Sequence, residues 1–92
     1  MAKQKSVNPV RLGASVFIRT VTMYYTGRIV ELTERAIVLD EAAWIADTGR
    51  FSNALKSGVL GEVEPYHGPV AINADHVLDV TEWGHALPRE VK

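Results

Sequence analysis

Three histidines and one pair of glutamates are the residues of this sequence best suited to metal or acid–base chemistry. His67, His76 and His85 could ligate a metal, but no two of them have the i, i+4 spacing of helical ligands. Glu62 and Glu64 flank a valine, so both carboxylates project from one face of a strand. Such a pair can act in acid–base catalysis when it lies in a cleft, whereas on an edge strand it deters aggregation. We adopt the second interpretation and predict no catalytic residue, no metal site and no cofactor.

Polar residues at two predicted turns could contact nucleic acid. Guanidinium and amide groups there can hydrogen-bond a phosphate or a base edge. Glu34 and Asp75 lie beside these turns and would repel phosphate, so ordinary solvent-exposed turn residues are the alternative. The candidate nucleic-acid residues are Arg28, Arg35, Asn73 and His76, with further positive charge from Lys3, Lys5, Arg11 and Arg50.

Aromatic side chains cluster around a short predicted helix. If this helix folds over the sheet, a ligand pocket could lie beneath it. The candidate lining of that pocket is Trp44, Arg50, Phe51, Glu64 and His67. The alternative is that Trp44 and Phe51 are core residues that anchor the helix, because no track of basic residues accompanies them.

The composition is that of one small globular domain. Of the 92 residues, 47% are hydrophobic and 23% are charged, with a net charge of −1 that gives no global attraction to nucleic acid. The absence of cysteine excludes disulfides and thiolate zinc sites. The longest apolar run, residues 42–46, is too short to cross a bilayer, and the polar start lacks the apolar stretch of a secretory signal. We therefore expect a single domain, 1–92, in the cytoplasm, with no membrane partner.

Residues with β-branched or aromatic side chains predict a chain made mostly of strands. The dense segment at residues 14–25 is too long for one straight strand, so we expect a turn near residues 20–23. Gly27 stands inside strand-like sequence, which is typical of a bulge or a sharp bend. The predicted segments are a flexible arm at 1–9, barrel strands within 14–45 and 62–83, and an irregular tail at 84–92.

A short helix is predicted at residues 47–58, inserted between the strands. Asp47 or Thr48 can act as its N-cap, and Gly58 can end it. About two turns of helix must be stabilised by packing rather than by propensity. The apolar face has i, i+3, i+4 spacing and consists of Phe51, Ala54 and Leu55.

Two segments resemble the motifs of the Sm-like family. Residues 27–39 are similar to the first Sm motif of the bacterial Sm-like RNA chaperones, with a bending glycine, an apolar strand, a polar turn and a returning apolar strand. Residues 72–80 resemble the second motif, in which a very tight turn joins two strands. The resemblance implies a mostly β fold: a small, strongly bent, five-stranded SH3-like or Sm-like barrel, here with one short inserted helix. Such chains commonly close into homo-oligomeric rings.

The residues with which the family binds RNA are not matched in this sequence. Near the first turn the family has Asp and Asn, or Gln and an aromatic residue, whereas residues 33–36 here are Thr, Glu, Arg and Ala. In the second motif, Asn73 and Ala74 replace a basic residue followed by Gly or His. The resemblance therefore implies no uracil pocket. Residues 44–61 form an insertion that is longer than the family's usual loop.

Apolar residues occupy both alternating positions of several predicted strands, as Ile29 beside Val30 and Ile37 beside Val38 show. One barrel core needs only one set, so the second face must be covered by the insertion and tail or by another subunit. We favour the subunit. The predicted interface residues are Glu62, Val63, Glu64, Val77, Leu78 and Val80.

Three functional hypotheses are consistent with these features. The first is a non-enzymatic, ring-forming Sm-like barrel that acts as a binding or scaffold module. The second is a nucleic-acid-binding protein of the same fold, with RNA as its partner. The third is a small-ligand binder or enzyme with a pocket under the inserted helix.

Overall fold

Six antiparallel strands and one short helix make up the protein in a computed structural model, which describes residues 7–92. Lys3, Lys5 and most of the predicted arm lie outside the described residues. The mostly β class and the single short helix agree with the prediction. The resemblance implied five strands, whereas the described residues form six, with the helix inside the predicted insertion at 44–61 and the strand at Glu62–Pro65 directly after it. The elements are β1 (Ser15–Thr20), β2 (Tyr24–Leu32), β3 (Ala36–Asp47), α1 (Phe51–Ser57), β4 (Glu62–Pro65), β5 (Val70–Asn73), a 3-10 turn (Ala74–His76) and β6 (Val77–Glu82).

The long strand β3 organises the sheet. It pairs with β2 along one side, and on its other side its first part pairs with β5 and its last part with β4. The remaining order is β3-β2-β1-β6. The 3-10 turn contacts two other turns, because Ala74 N donates to Arg35 O at 2.8 Å and Val21 N donates to His76 O at 3.1 Å. These bonds bring β5 and β6 close to the turns at the ends of β2. Within the described residues, no helix is long and apolar enough to span a bilayer.

Gly27 lies at the bulge that its position in the sequence predicts. Thr26 pairs with Ala43 and Arg28 with Asp40, so β3 has one extra residue opposite the glycine. A Cβ atom on Gly27 would lie 2.9 Å from the Leu39 Cβ and 3.3 Å from the Ala42 Cα. The two strands therefore approach too closely at this point for any side chain.

The sheet has a hydrophobic core on each face. Alternation along β1 sends Val16 and Ile18 into one core and Phe17 into the other. The first core is enclosed by the strands themselves, and its buried residues are Ala14, Val16, Ile18, Ile29, Ile37, Leu39, Ala42 and Ile72. The second lies under α1 and the tail, and its buried residues are Phe17, Ala43, Ile45, Ala54, Leu60, Val63 and Trp83.

The helix is shorter than predicted and begins differently. β3 continues to Asp47, whose carboxylate accepts from the Gly49 N–H at 2.8 Å, so the predicted N-cap at Asp47 or Thr48 is wrong. The N-cap is Arg50, whose side chain makes no capping bond. Gly58 ends the helix as predicted, in the left-handed conformation with φ 77°, and its N–H donates to Ala54 O.

Replacement of Gly27 by alanine tests the close approach of β2 and β3. Since the new methyl group would meet Leu39 and the Ala42 backbone, we expect Gly27→Ala to lower the unfolding free energy by about 1–3 kcal/mol. Chemical denaturation measures the change. The control is Gly68→Ala, where a Cβ meets no atom within 4 Å, and its effect should stay within about 0.5 kcal/mol. Equal effects of the two substitutions would contradict the steric explanation.

Thr26 provides a second test, because its hydroxyl is buried without a hydrogen-bond partner among the described residues. The residue is fully buried between its cross-strand neighbours Phe17 and Ala43. Thr26→Val removes an unsatisfied polar group with little change of shape, so we expect a gain of about 1 kcal/mol in unfolding free energy. Exposed Thr22→Val is the control and should be nearly neutral. A destabilised Thr26→Val protein would mean that the hydroxyl has a partner.

Candidate functional site

The outer edge of β4 is occupied by Lys92 of the same chain. Val63 N donates to Lys92 O at 2.9 Å, and Lys92 N donates to Val63 O at 2.9 Å. Backbone groups alternate in direction along an antiparallel strand, so Pro65 is the other outward-facing residue of β4, and proline has no N–H. Among the described residues, β4 therefore has no free outward donor for another strand.

This occupied edge contains three of the six predicted interface residues. Glu62 and Glu64 direct their backbone groups toward β3, and the Val63 side chain is only 2% exposed. The structure thus places Glu62, Val63 and Glu64 on an edge that the tail already covers.

The outer edge of β6, in contrast, has backbone N–H and C=O groups that no other described strand pairs with. Trp83 N donates to Ser15 O at 2.8 Å, which fixes the alternation along the pairing of β6 with β1. Val80 and Glu82 then direct their N–H and C=O groups away from β1. β6 has no second partner strand in the described part of the chain. Leu78, beside a bulge in β6, is 60% exposed.

β5 offers a second open edge. Ala74 N bonds to Arg35 O, so Ala71 and Asn73 direct their backbone groups away from β3. The two open edges are consecutive in the chain and are separated only by the 3-10 turn.

The candidate nucleic-acid residues are only partly brought together. Arg35, Asn73 and His76 lie at adjoining turns, since Asn73 pairs with Ala36 and Ala74 bonds to Arg35. The Asn73 side-chain oxygen already accepts from Asp75 N at 2.9 Å. Arg28 lies apart from them, opposite Asp40, and forms ion pairs with Asp40 at 3.7 Å and with Glu41.

Other arginines also have partners within the chain. Arg19 donates through Nε to both carboxylate oxygens of Asp79, at 3.0 and 2.9 Å, and its guanidinium lies over the Phe51 ring. This hydrogen-bonded pair raises the pKa of Arg19 and lowers that of Asp79. Arg11 pairs with Glu82 at 2.7 Å. These cations are therefore partly neutralised as phosphate ligands.

The predicted pocket residues are divided between the two faces of the sheet. Ala43 and Ile45 face α1, so Trp44 between them faces the opposite side. Phe51 is on the helix, with its ring 5.5 Å from that of Phe17. The described part of the chain contains no pocket.

Trp44 is not a core residue, contrary to one of the two interpretations of the sequence. It is 36% exposed, whereas Trp83 is only 3% exposed and packs against Phe17 at 5.8 Å between ring centres. Trp83, from the end of the sheet, is the tryptophan under the helix. Phe51 is also 36% exposed, but its ring contacts the ring of Phe17 in the second core. It therefore anchors the helix while part of its side chain faces solvent.

Arg89 anchors the tail, a role that sequence reasoning missed. Its guanidinium donates to Ala42 O at 2.8 Å and to Tyr66 O at 2.9 Å. His85 contributes a second contact, with Nε2 2.7 Å from Leu55 O. No periodicity in residues 84–92 indicates these contacts, because the segment is irregular.

The histidines remain apart from any metal-binding arrangement. Among residues 7–92, no three His, Asp or Glu side chains are grouped so that they could hold a metal ion. His85 instead packs edge-on against Trp83, with 5.0 Å between ring centres.

No family model, no curated protein and no solved structure matches this chain. The candidate site therefore depends on the geometry of the sheet edges and of the exposed side chains alone.

The ion pair of Arg19 and Asp79 predicts a pH dependence at the β1–β6 junction. Because the pKa of Asp79 is lowered in the folded protein, its stabilisation is present above the unfolded value of about 4 and disappears as the pH falls through the folded value. Both side chains are partly exposed, so Asp79→Asn should lower the unfolding free energy at pH 7 by less than about 1 kcal/mol.

Denaturation measured from pH 7 downward should show the unfolding free energies of the parent and of Asp79→Asn converging below about pH 4. Glu34→Gln, at a residue without an ion pair in the described chain, is the control. A constant difference between parent and Asp79→Asn at all pH values would contradict the assignment.

Proposed function

We propose that the protein is a non-enzymatic Sm-like barrel module that assembles with copies of itself through the edges of β5 and β6. Residues 27–39 form the bent hairpin of β2 and β3, and residues 72–80 run from β5 through the 3-10 turn into β6. Both segments match the arrangement that the Sm resemblance implies, and this agreement supports a barrel of that kind. The helix α1 lies inside the insertion at residues 44–61, and β4 follows directly after it.

The observation that carries the proposal is the pair of unpaired edges. Val80 and Glu82 on β6, and Ala71 on β5, have outward backbone N–H and C=O groups that no other described strand satisfies. Asn73 adds only its outward N–H, because its C=O accepts the first bond of the 3-10 turn. Exposed edges of this kind accept another strand by β-augmentation. When β6 of one copy pairs with β5 of the next, the contact is heterologous and leaves the same two edges available for further copies. A closed ring satisfies every one of them.

The second apolar face does not add to this support. We predicted that another subunit covers it. Within one chain, α1 and the tail cover the part around Phe17, Ala43 and Ile45, whereas Val30 stays 43% exposed and Val38 is partly exposed. The interface is therefore assigned to the strand edges, with Val77, Leu78 and Val80 retained from the predicted residues. Exposed Leu78 and Val21, at 60% and 62%, add apolar area at the β6 end.

The two alternative functions have less support. A nucleic-acid site would need cations in one place, yet Arg28 is paired with Asp40 and Glu41. A ligand pocket under the helix would need Trp44 and Phe51 on the same side of the sheet, and they lie on opposite sides.

Substitution of Leu78 by lysine tests assembly through β6. A charge at this exposed apolar position should oppose edge pairing without disturbing the fold. We expect light scattering to show an oligomer for the parent and at least about tenfold weaker association for Leu78→Lys. The matched control is Val59→Lys, at a residue 56% exposed after the helix, which should assemble like the parent.

Hydrogen exchange of individual amides provides the second measurement. In the assembled parent, the N–H groups of Val80 and Glu82 should exchange slowly, and in Leu78→Lys they should exchange fast. The Val63 N–H should be protected in both proteins because it bonds to Lys92 within the chain. A parent that is monomeric at all concentrations, or an oligomer whose Val80 and Glu82 amides exchange fast, would overturn the proposal.

A further inference from the structure

A row of side chains crosses the sheet at the β4 end, on the face opposite α1. Tyr25, Trp44 and Glu64 are direct cross-strand neighbours on β2, β3 and β4. Cβ atoms at such positions lie about 4.5–5.5 Å apart. Tyr66 extends the row, with its ring 6.3 Å from the ring of Tyr25. We call Tyr25, Trp44, Glu64 and Tyr66, together with Glu62, the aromatic–acidic surface.

Trp44 is the exposed member of this surface. Its 36% exposure contrasts with the partly buried tyrosines, which pack against the first core. Burial and the neighbouring Tyr66 hydroxyl raise the pKa of Tyr25, in keeping with its place at the edge of the core. The tyrosines therefore close the core and support a tryptophan whose indole is accessible from solvent. Tryptophan is among the residue types enriched at the energetic centres of protein interfaces.

Two carboxylates of β4 have no cationic partner in the described chain: that of Glu64, opposite Trp44, and that of Glu62, opposite Asp47. Among the described residues, neither Glu62 nor Glu64 forms an ion pair, although Arg11, Arg19 and Arg28 each pair with an acid elsewhere. The tail carries two cations, and neither forms an ion pair with these glutamates: Arg89 donates to the carbonyls of Ala42 and Tyr66, and Lys92 bonds to Val63 through its backbone. Glu62 and Glu64 are two residues apart, so they are separated by about 6.6–7 Å along the strand.

We infer that the aromatic–acidic surface binds an extended, arginine- or lysine-bearing segment of a partner protein. A cation can lie over the indole of Trp44 while the carboxylate of Glu64 neutralises it. An extended segment repeats its side chains with the same period as β4, so a second cation two residues along reaches Glu62. This site is on different strands from the β5 and β6 edges, and it does not depend on self-assembly.

The test uses an octapeptide in which arginine and alanine alternate, acetylated and amidated at its ends. Titration into the 92-residue protein should give saturable amide shifts at residues of β3 and β4 in two-dimensional NMR. Tryptophan fluorescence should change as well, and the change should be absent in Trp44→Phe, which retains only the buried Trp83. We expect Trp44→Ala to weaken binding about tenfold, with the retained NMR spectrum reporting that the fold is intact.

A charge-matched pair of variants separates a site from general electrostatics. Glu62→Gln with Glu64→Gln should weaken binding at least about threefold, whereas Glu31→Gln with Glu34→Gln, which removes the same charge elsewhere, should have little effect. The same peptide with glutamate in place of arginine should not bind. Three results would each overturn the inference. The two double variants could weaken binding equally, Trp44→Ala and Trp44→Phe could both bind like the parent, or the NMR shifts could be confined to β5 and β6. Because binding is measured on the monomer of Leu78→Lys as well as on the parent, its failure is distinguishable from failure of self-assembly.

Discussion

The close approach of β2 and β3 at Gly27 is the constraint on which the rest of the fold depends. Only a residue without a side chain permits the contact with Leu39 and Ala42, and the extra residue on β3 absorbs the resulting bend. Glu41, in that bulge, adopts φ 50° and forms an ion pair with Arg28, so this pair joins β3 to β2 at the bend. Because the hairpin bends here, the first part of β3 can pair with β5 while its last part pairs with β4.

The bend also explains why both faces of the sheet are apolar. Where the sheet curves around the first core, alternate residues such as Val16 and Ile18 point inward and Phe17 points outward. On that second face, Phe17, Ala43 and Ile45 are covered by the inserted helix and Trp83, whereas Val30 stays 43% exposed. The sequence indicates this second layer through its two apolar sets. The sequence does not show whether the same chain or another subunit covers this face, because both arrangements bury the same residues.

Local patterns predicted the elements better than they predicted the site. The turn after Thr20, the bulge at Gly27 and the helix end at Gly58 each follow from the chemistry of single residues, and each is present. Contacts between distant segments leave no such pattern. Arg89 bonds to carbonyls of Ala42 and Tyr66, which are 47 and 23 residues away. The helix start was wrong for the same reason, since strand pairing with β4 extends β3 over the predicted cap.

In the proposed assembly, the unequal edges of the sheet restrict where another copy can be added. An antiparallel sheet with every edge open can add strands without limit, which is the hazard that natural proteins avoid. Here Lys92 satisfies Val63 on β4, and Pro65 removes the next donor, so growth cannot proceed from that strand. The edges that remain belong to β5 and β6, whose relative direction is fixed by one short 3-10 turn and its bonds to Arg35 and Val21. In the proposed assembly, a fixed angle between the two open edges makes each added copy rotate by the same amount. Such a heterologous contact gives a ring when the repeated rotation closes without a translation along its axis, and a helical fibre when it does not.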